Sequence, residues 1–180
     1  RQLHQHMRAL NGSAALLAPA VKQKDFTRQG LVDRHWVIGA AMLFDTELMQ
    51  PVGYFDENIF LFSEETDLCY RIRQAGLRIL LDTDIYIEHL YRQSSAPDPR
   101  IERLKHWHFG WSRSYYYHKH GLAKGKKNPY RLIMVWGLKS LTSNTREKRE
   151  AYRAKLQGAL AFVRGKKAFM DNGKPQAAFW

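Results

Sequence analysis

The fold is decided by residues 58–71, which have the sequence Asn58-Ile59-Phe60-Leu61-Phe62-Ser63-Glu64-Glu65-Thr66-Asp67-Leu68-Cys69-Tyr70-Arg71. The apolar run at its start predicts a strand, and Ser63 directly after it is a residue type that caps helix N-termini. The acidic residues that follow suit the positive end of a helix dipole. The resulting helix is predicted to bury Leu68, Ile72 and Ala75 and to end at Gly76.

Short apolar segments on both sides of this helix predict further strands. Residues 36–44 form a continuous apolar run of strand length, which is typical of a strand covered on both faces. A shorter apolar strand is predicted within 14–21, and a polar surface loop over 22–34. After the helix, strands are predicted at 77–81 and 85–89, separated by a turn. This alternation of strands with a helix indicates an α/β fold.

The later part of the chain has a helical pattern. Apolar and aromatic residues follow a 3-then-4 spacing from Ile101 onward, and His108 and His118 fit the same stripe. Further apolar segments of helical spacing occupy 130–141 and 152–163, with Lys and Arg on the remaining faces. Three amphipathic helices are therefore expected.

Charge is distributed unevenly over the 180 residues. Residues 1–90 carry 9 Lys+Arg against 12 Asp+Glu, whereas residues 91–180 carry 20 against 5. We expect two domains, an α/β part at 1–96 and a basic helical tail at 97–180. The single cysteine excludes an intrachain disulfide and a Cys-rich zinc module. No apolar run approaches the ~18 residues that a membrane-spanning helix needs.

The densest acidic cluster consists of Glu64, Glu65 and Asp67. One interpretation is structural, because carboxylates in a first helical turn interact favourably with the helix dipole. The other is catalytic. Three carboxylates within four residues repel one another, so one of them, at a buried strand end, would take up a proton more readily, as a general base must. The residue pattern by itself leaves both interpretations open.

An ordered set of motifs between residues 38 and 95 resembles the second half of the catalytic domain of family 2 glycosyltransferases. The motifs are Gly-Ala-Ala from Gly39, Val-Gly-Tyr-Phe-Asp-Glu ending at Glu57, the acidic helix start, and Ile-Glu-His-Leu around His89. The nearest similarity is to bacterial rhamnosyltransferase-type members. This resemblance implies an inverting enzyme with a partial GT-A (Rossmann-like) catalytic domain, of which the chain holds the acceptor-side half.

The resemblance also implies the reaction, which is transfer of a sugar from a nucleotide diphosphate sugar to an acceptor hydroxyl. In the family a carboxylate at the acceptor helix start is the base, and that position is Glu65 here, one methylene longer than the commoner Asp. Glu64 is the competing candidate. Arg71 is expected to pair with Asp67 one turn away. The residues implied on the acceptor side are Asp67, Gly39, Ala40, Asp56, Glu57 and Arg71.

His89 is the candidate metal ligand. A lone histidine at a strand end is commonly structural, but the resemblance implies a position near the divalent metal and the diphosphate. The expected ion is Mg²⁺ or Mn²⁺, which would neutralise charge on the departing nucleoside diphosphate. The family's Asp-x-Asp and its nucleotide-binding strands have no counterpart before Gly39. We therefore expect a fragment that is inactive, or nearly so, by itself.

The basic second half predicts an anionic partner or a solvated surface. Cations mixed with aromatic residues suit nucleic acid, a membrane surface with anionic lipids, or an exposed face of the protein itself. The resemblance favours the membrane, because many relatives extend lipid-linked acceptors at the cytoplasmic leaflet. We expect a peripheral enzyme of bacterial surface-polysaccharide synthesis on the inner face of the cytoplasmic membrane, and nucleic acid is not the expected partner. The alternative is a non-catalytic polyanion- or membrane-binding module on a degenerate transferase fold.

Overall fold

The computed structural model describes residues 15–18, 30–87, 98–170 and 172–176. Strands and helices both occur in these residues, so the predicted mixed α/β class is confirmed. The chain forms two compact units. The first comprises Arg1–Asp56 and Glu65–Arg92, and the second comprises Glu57–Glu64 and Gln93–Trp180. The segment Glu57–Glu64 thus belongs to the second unit, although the prediction placed it in the first domain.

The first unit contains a four-stranded sheet. Its strands are β1 (Ala15–Ala18), β2 (Leu31–Arg34), β3 (Met42–Leu43) and β4 (Arg78–Asp82). The order across the sheet is β2-β4-β1-β3, in which β4 is antiparallel to both of its neighbours and β1 is parallel to β3. The strands predicted within 14–21 and at 77–81 are confirmed.

Two strand predictions and one loop prediction in the first half need correction. Residues 36–44 contribute only the two-residue β3, because the chain turns at Gly39 and Ala40 and leaves Trp36 and Ile38 more than half exposed. The last four residues of the predicted loop at 22–34 form β2 instead. This strand lies at the edge of the sheet, where polar residues are tolerated. Residues 85–87 are not in a strand, and 88–89 lie outside the described residues.

The apolar run at the start of the deciding segment is also not a strand. Residues 58–62 are irregular and pack within the second unit instead. The ring of Phe60 lies 4.8 Å from that of His108, the ring of Phe62 lies 5.6 Å from that of Phe109, and the carbonyl of Leu61 accepts a hydrogen bond from Ser112 Oγ at 2.8 Å. Aromatic side chains, rather than a strand partner, therefore hold this segment.

The first unit contains helix α1 (Thr46–Met49) and all of helix α2 (Glu64–Gln74) except its first residue. Leu68, Cys69 and Ile72 of α2 are fully buried, together with Met49 and Ile79. The predicted burial of Leu68 and Ile72 is confirmed, whereas Ala75 is exposed. The helix ends as predicted, because Gly76 adopts a φ of +75° and the Leu77 N–H donates to the Ile72 carbonyl at 3.1 Å.

The second unit contains the three predicted helices, α3 (Pro99–Lys119), α4 (Pro129–Thr142) and α5 (Arg146–Val163). Side-chain oxygens cap all three at the N-terminus, from Asp98, Asn128 and Thr145 respectively. Among the residues that the structure describes, every helix is too short or too polar to cross a bilayer. Aromatic side chains of α3, including Trp107 and Trp111, supply much of the core of this unit.

Helices α3 and α5 approach each other through two glycines. A Cβ on Gly110 would overlap the carbonyl oxygen of Lys155, and a Cβ on Gly158 would overlap the carbonyl oxygen of Trp107. Because the obstacles are backbone atoms of the opposite helix, no side-chain rotation relieves the overlap. The close crossing therefore requires glycine at both positions.

We predict that Gly110→Ala or Gly158→Ala lowers the free energy of unfolding by about 3 kcal/mol, since the helices must separate to admit the methyl group. Gly137→Ala in α4 is the matched control, because nothing lies within 4 Å of a Cβ built there. This change removes a flexible glycine from a helix interior and is expected to stabilise by about 0.5–1 kcal/mol. Urea denaturation of the three variants measures the contrast, and equal losses in all three would contradict it.

The two histidines predicted for the apolar stripe of α3 differ in the structure. His108 is fully buried and its Nε2 lies 3.0 Å from the carbonyl oxygen of Gln176, whereas His118 is exposed with its ring 5.6 Å from that of Phe162. Burial lowers the pKa of His108 to about 4, and the hydrogen bond to Gln176 opposes the shift only in part. His108 is therefore neutral in the folded protein at neutral pH.

This neutral histidine predicts loss of stability in acid. The pKa of a histidine in the unfolded chain is about 6.5, so the unfolded state binds an extra proton between that pH and about 4. The stabilisation is fully present above about pH 6.5 and is lost as the pH falls toward 4, with an expected magnitude on the order of 3 kcal/mol. His108→Gln should flatten this dependence in thermal melts at several pH values. His118→Gln should leave it unchanged, and equal flattening by both variants would refute the assignment.

Candidate active site

The start of α2 carries the predicted carboxylates on an unusual backbone. Phe62 and Ser63, directly before the helix, have φ values of +65° and +69°. Ser63 occupies the predicted position directly before the helix, but its left-handed backbone differs from the extended backbone that an N-cap residue normally has. Left-handed backbone at two consecutive residues that are not glycine costs energy and persists only where packing enforces it. The irregular segment 58–62 supplies that packing through its aromatic contacts in the second unit.

Glu65 lies against the turn at Gly39. A Cβ built on Gly39 would be 3.4 Å from Cβ and 3.8 Å from Cγ of Glu65, so the side-chain stem of Glu65 passes directly over the glycine backbone. Glu65 is half-buried, and both Gly39 and the neighbouring Ala40 are exposed. The structure thus brings together three of the predicted residues in the first unit, with a carboxylate beside an open turn.

Asp67 and Arg71 form the predicted pair, with Arg71 Nε donating to Asp67 Oδ2 at 2.8 Å. Asp67 is fully buried and the Arg71 side chain is 19% exposed. The guanidinium also donates to the backbone carbonyls of Val52, at 2.8 Å, and Gly53, at 3.1 Å, and to that of Tyr54. One arginine in the last turn of α2 therefore joins Asp67, in the first turn of the helix, to the turn at 52–54. We call this arrangement the Arg71 clamp.

Loss of the Arg71 clamp should destabilise the first unit. Arg71→Ala would leave a buried carboxylate and three carbonyl groups without their guanidinium donor, and removing one partner of a buried pair costs about 3–5 kcal/mol. Arg71→Lys should also lower the stability, though by less than the alanine variant, because an ammonium keeps the charge but does not have the planar fork of donors. The control is Arg146→Ala, which removes an exposed i,i+4 pair with Glu150 and should leave the melting temperature unchanged. A similar loss in both alanine variants would contradict the prediction.

The remaining predicted acidic residues occupy the boundary between the units. Asp56 is the last residue of one part of the first unit, whereas Glu57 and Glu64 belong to the second unit. Asp56 and Glu64 are half-buried and Glu57 is exposed. Of the two glutamates at the start of α2, Glu65 is therefore the one in the same unit as Gly39.

Two features near the site were not predicted. Asp33 accepts a hydrogen bond from Arg78 of β4 at 2.7 Å and another from Arg73 of α2, and so joins two strands and the helix. These partners are 40 and 45 residues away in sequence, and no local spacing reveals such a pairing. Cys69, one turn after Glu65, is fully buried, and burial raises the pKa of its thiol, with a further contribution from Glu65. Cys69 is thus an unreactive core residue.

The structure offers no metal site within the residues it describes. No three His, Cys, Asp or Glu side chains there are grouped closely enough to hold an ion. His89, the predicted ligand, lies outside the described residues. The expectation of Mg²⁺ or Mn²⁺ therefore stays a prediction.

Comparison with known proteins gives one informative similarity. The low-salt glycan biosynthesis hexosyltransferase Agl10 of Haloferax volcanii is 29% identical over 63 residues. The match covers 35% of this chain and 20% of that protein, so the chain spans only a small part of its relative. No protein-family model matches the chain, and no solved structure matches it. The similarity supports a distant glycosyltransferase-like relationship.

Proposed function

We propose that this chain supplies the acceptor side and the base of an inverting glycosyl transfer. The observation that carries the proposal is the placement of Glu65, which lies at the first turn of α2 with its stem against the Gly39 turn. The distant similarity to a hexosyltransferase supports the same class of reaction. In the proposed fold, the first unit is the acceptor-side half of a GT-A domain.

Glu65 is proposed to act as the general base. Its carboxylate would accept the proton of the acceptor hydroxyl while that oxygen forms a bond to the anomeric carbon, and the bond from this carbon to the diphosphate oxygen breaks with its electron pair leaving on the diphosphate. Such proton transfer typically contributes a rate factor of about 10²–10⁴. The open turn at Gly39 and Ala40 gives an acceptor sugar access to the carboxylate, since no Cβ at Gly39 blocks it.

The other acceptor-side residues would act mainly by positioning. The Arg71 clamp holds α2 against the turn at 52–54, and in this proposal it thereby positions the helix turn that carries Glu65. Asp67 is fully buried in that clamp. It therefore orients the helix start in this proposal, and Asp56 and Glu57, which follow the clamped turn, remain the proposed acceptor contacts.

The finer features of the proposal come from the resemblance. The donor would be a nucleotide diphosphate sugar, with rhamnose-type transfer as the nearest parallel, and the acceptor a saccharide, lipid-linked in surface-polysaccharide synthesis. The enzyme would act at the inner face of the bacterial cytoplasmic membrane. His89 would lie near a Mg²⁺ or Mn²⁺ ion, and unchanged turnover after exhaustive chelation would refute this part.

The decisive experiment replaces Glu65 with Gln in the full-length gene product and measures kcat and donor binding with a nucleotide diphosphate sugar. We expect kcat to fall by about 10²–10⁴ because the amide cannot accept the proton, while the donor affinity stays unchanged. Glu65→Asp should retain much of the activity, since the shorter acid keeps the same chemistry.

Glu64→Gln is the matched control and should lower kcat by less than about tenfold, since an assisting charge contributes less than the proton acceptor itself. Turnover near the wild-type value for Glu65→Gln, with a large loss for Glu64→Gln, would transfer the role to Glu64. A complete absence of transfer in the wild-type protein, with membrane or polyanion binding retained, would instead favour the non-catalytic module.

A further inference from the structure

An exposed apolar stripe runs along the whole of α4. Its four members are Tyr130, Met134, Leu138 and Leu141, whose exposed fractions are 68%, 66%, 62% and 72%. At about 100° per residue they fall within an arc of roughly 80° on one face of the helix. Large apolar side chains exposed singly are ordinary, but four in one continuous stripe indicate a binding surface.

Within the part of the chain that the structure describes, this stripe is exposed and a different face of α4 is packed. Pro129, Trp136 and Ser140 form the buried face of the same helix, and the Trp136 ring lies 6.3 Å from that of Phe109 on α3. A helix that already buries one face and exposes an apolar second face has a surface available for a partner outside the chain.

The charged residues of α4 and of the segment before it are all cationic. From Arg103 to Arg146 the sequence contains ten Lys and Arg residues and not one Asp or Glu. Exposed cations lie on α4 itself and in the segment just before it, at Lys124, Lys126, Lys127, Arg131 and Lys139. An apolar stripe on a helix whose own charged residues are all cationic matches an interface that is anionic at its surface and apolar just beneath.

We propose that α4 lies in the plane of an anionic lipid bilayer, with the Tyr130, Met134, Leu138 and Leu141 stripe inserted below the headgroups. The choice of a membrane rests on the proposed function, and the structure adds the surface that would make the contact. With 14 residues, α4 is too short to span the hydrocarbon core, which fits a helix that lies along the interface.

Other partners fit this surface less well. Aliphatic side chains such as Met134 and Leu138 provide no platform on which nucleic-acid bases stack. A second copy of the chain would bring two acid-free segments together, and their like charges would repel. Anionic lipid offers an apolar interior for the stripe and negatively charged headgroups for the cations of α4 and of the segment before it.

The test is sedimentation of the whole chain with sucrose-loaded vesicles made of equal parts phosphatidylcholine and phosphatidylglycerol, beside vesicles of phosphatidylcholine alone. We expect binding to the anionic vesicles that weakens with added salt. The combined variant Met134→Gln and Leu138→Gln should weaken it about tenfold or more, since it removes apolar area from the inserted face. Lys124→Gln with Lys126→Gln should weaken it by a similar factor at low salt, at about fivefold per cation.

Two controls make the result specific. Tyr86→Gln removes an aromatic side chain that is 85% exposed in the first unit and should bind vesicles like the wild type. Glu65→Gln should also bind vesicles like the wild type, because vesicle binding needs no donor or acceptor sugar. The membrane proposal and the proposed reaction can therefore fail independently of each other. Thermal melts should be unchanged in the Met134 and Leu138 variant, since both side chains are exposed.

Three outcomes would overturn the proposal. Vesicle binding that is insensitive to the Met134 and Leu138 changes would show that the stripe does not insert. A dimer in sedimentation equilibrium that these changes dissociate would assign the stripe to a contact between two copies. Retention of single-stranded RNA at high salt without any vesicle binding would assign the basic segment to nucleic acid.

Discussion

The buried ion pair between Asp67 and Arg71 is the interaction on which the candidate site depends. A fully buried carboxylate is costly unless it is paired, and the guanidinium that pairs with Asp67 has further donors for the carbonyls of the turn at 52–54. The clamp therefore sets the position of α2 relative to this turn. Glu65 lies two residues before Asp67, in the first turn of the same helix, so the clamp also helps to set where Glu65 lies relative to Gly39.

The sequence predicted correctly those parts of the fold that depend on interactions between residues a few positions apart. The end of α2 at Gly76 and the three helices of the second unit were predicted correctly, since a glycine in the left-handed region and a 3.6-residue period act over a few residues. The pairing of Asp67 with Arg71 was predictable for the same reason, because it is an i,i+4 contact.

The incorrect predictions concern contacts that only the tertiary structure reveals. Residues 36–44 and 58–62 are as apolar as buried strands, but the first turns at Gly39 and the second packs its rings against α3. An apolar run by itself does not distinguish a strand from a turn, or a strand partner from an aromatic one. The placement of Glu65 over Gly39 joins residues 26 positions apart, and the family resemblance, rather than the spacing, pointed to it.

The start of α2 also depends on the second unit through the chain itself. Glu64 and Glu65 are consecutive residues of one helix but belong to different units, so the backbone that enters the helix is fixed by contacts of the second unit. Those contacts are the packing of the Phe62 ring on Phe109 and the hydrogen bond from Ser112 to Leu61, and they enforce the left-handed conformations of Phe62 and Ser63. Contacts within the second unit thus fix the chain up to Glu64, the residue directly before the candidate base.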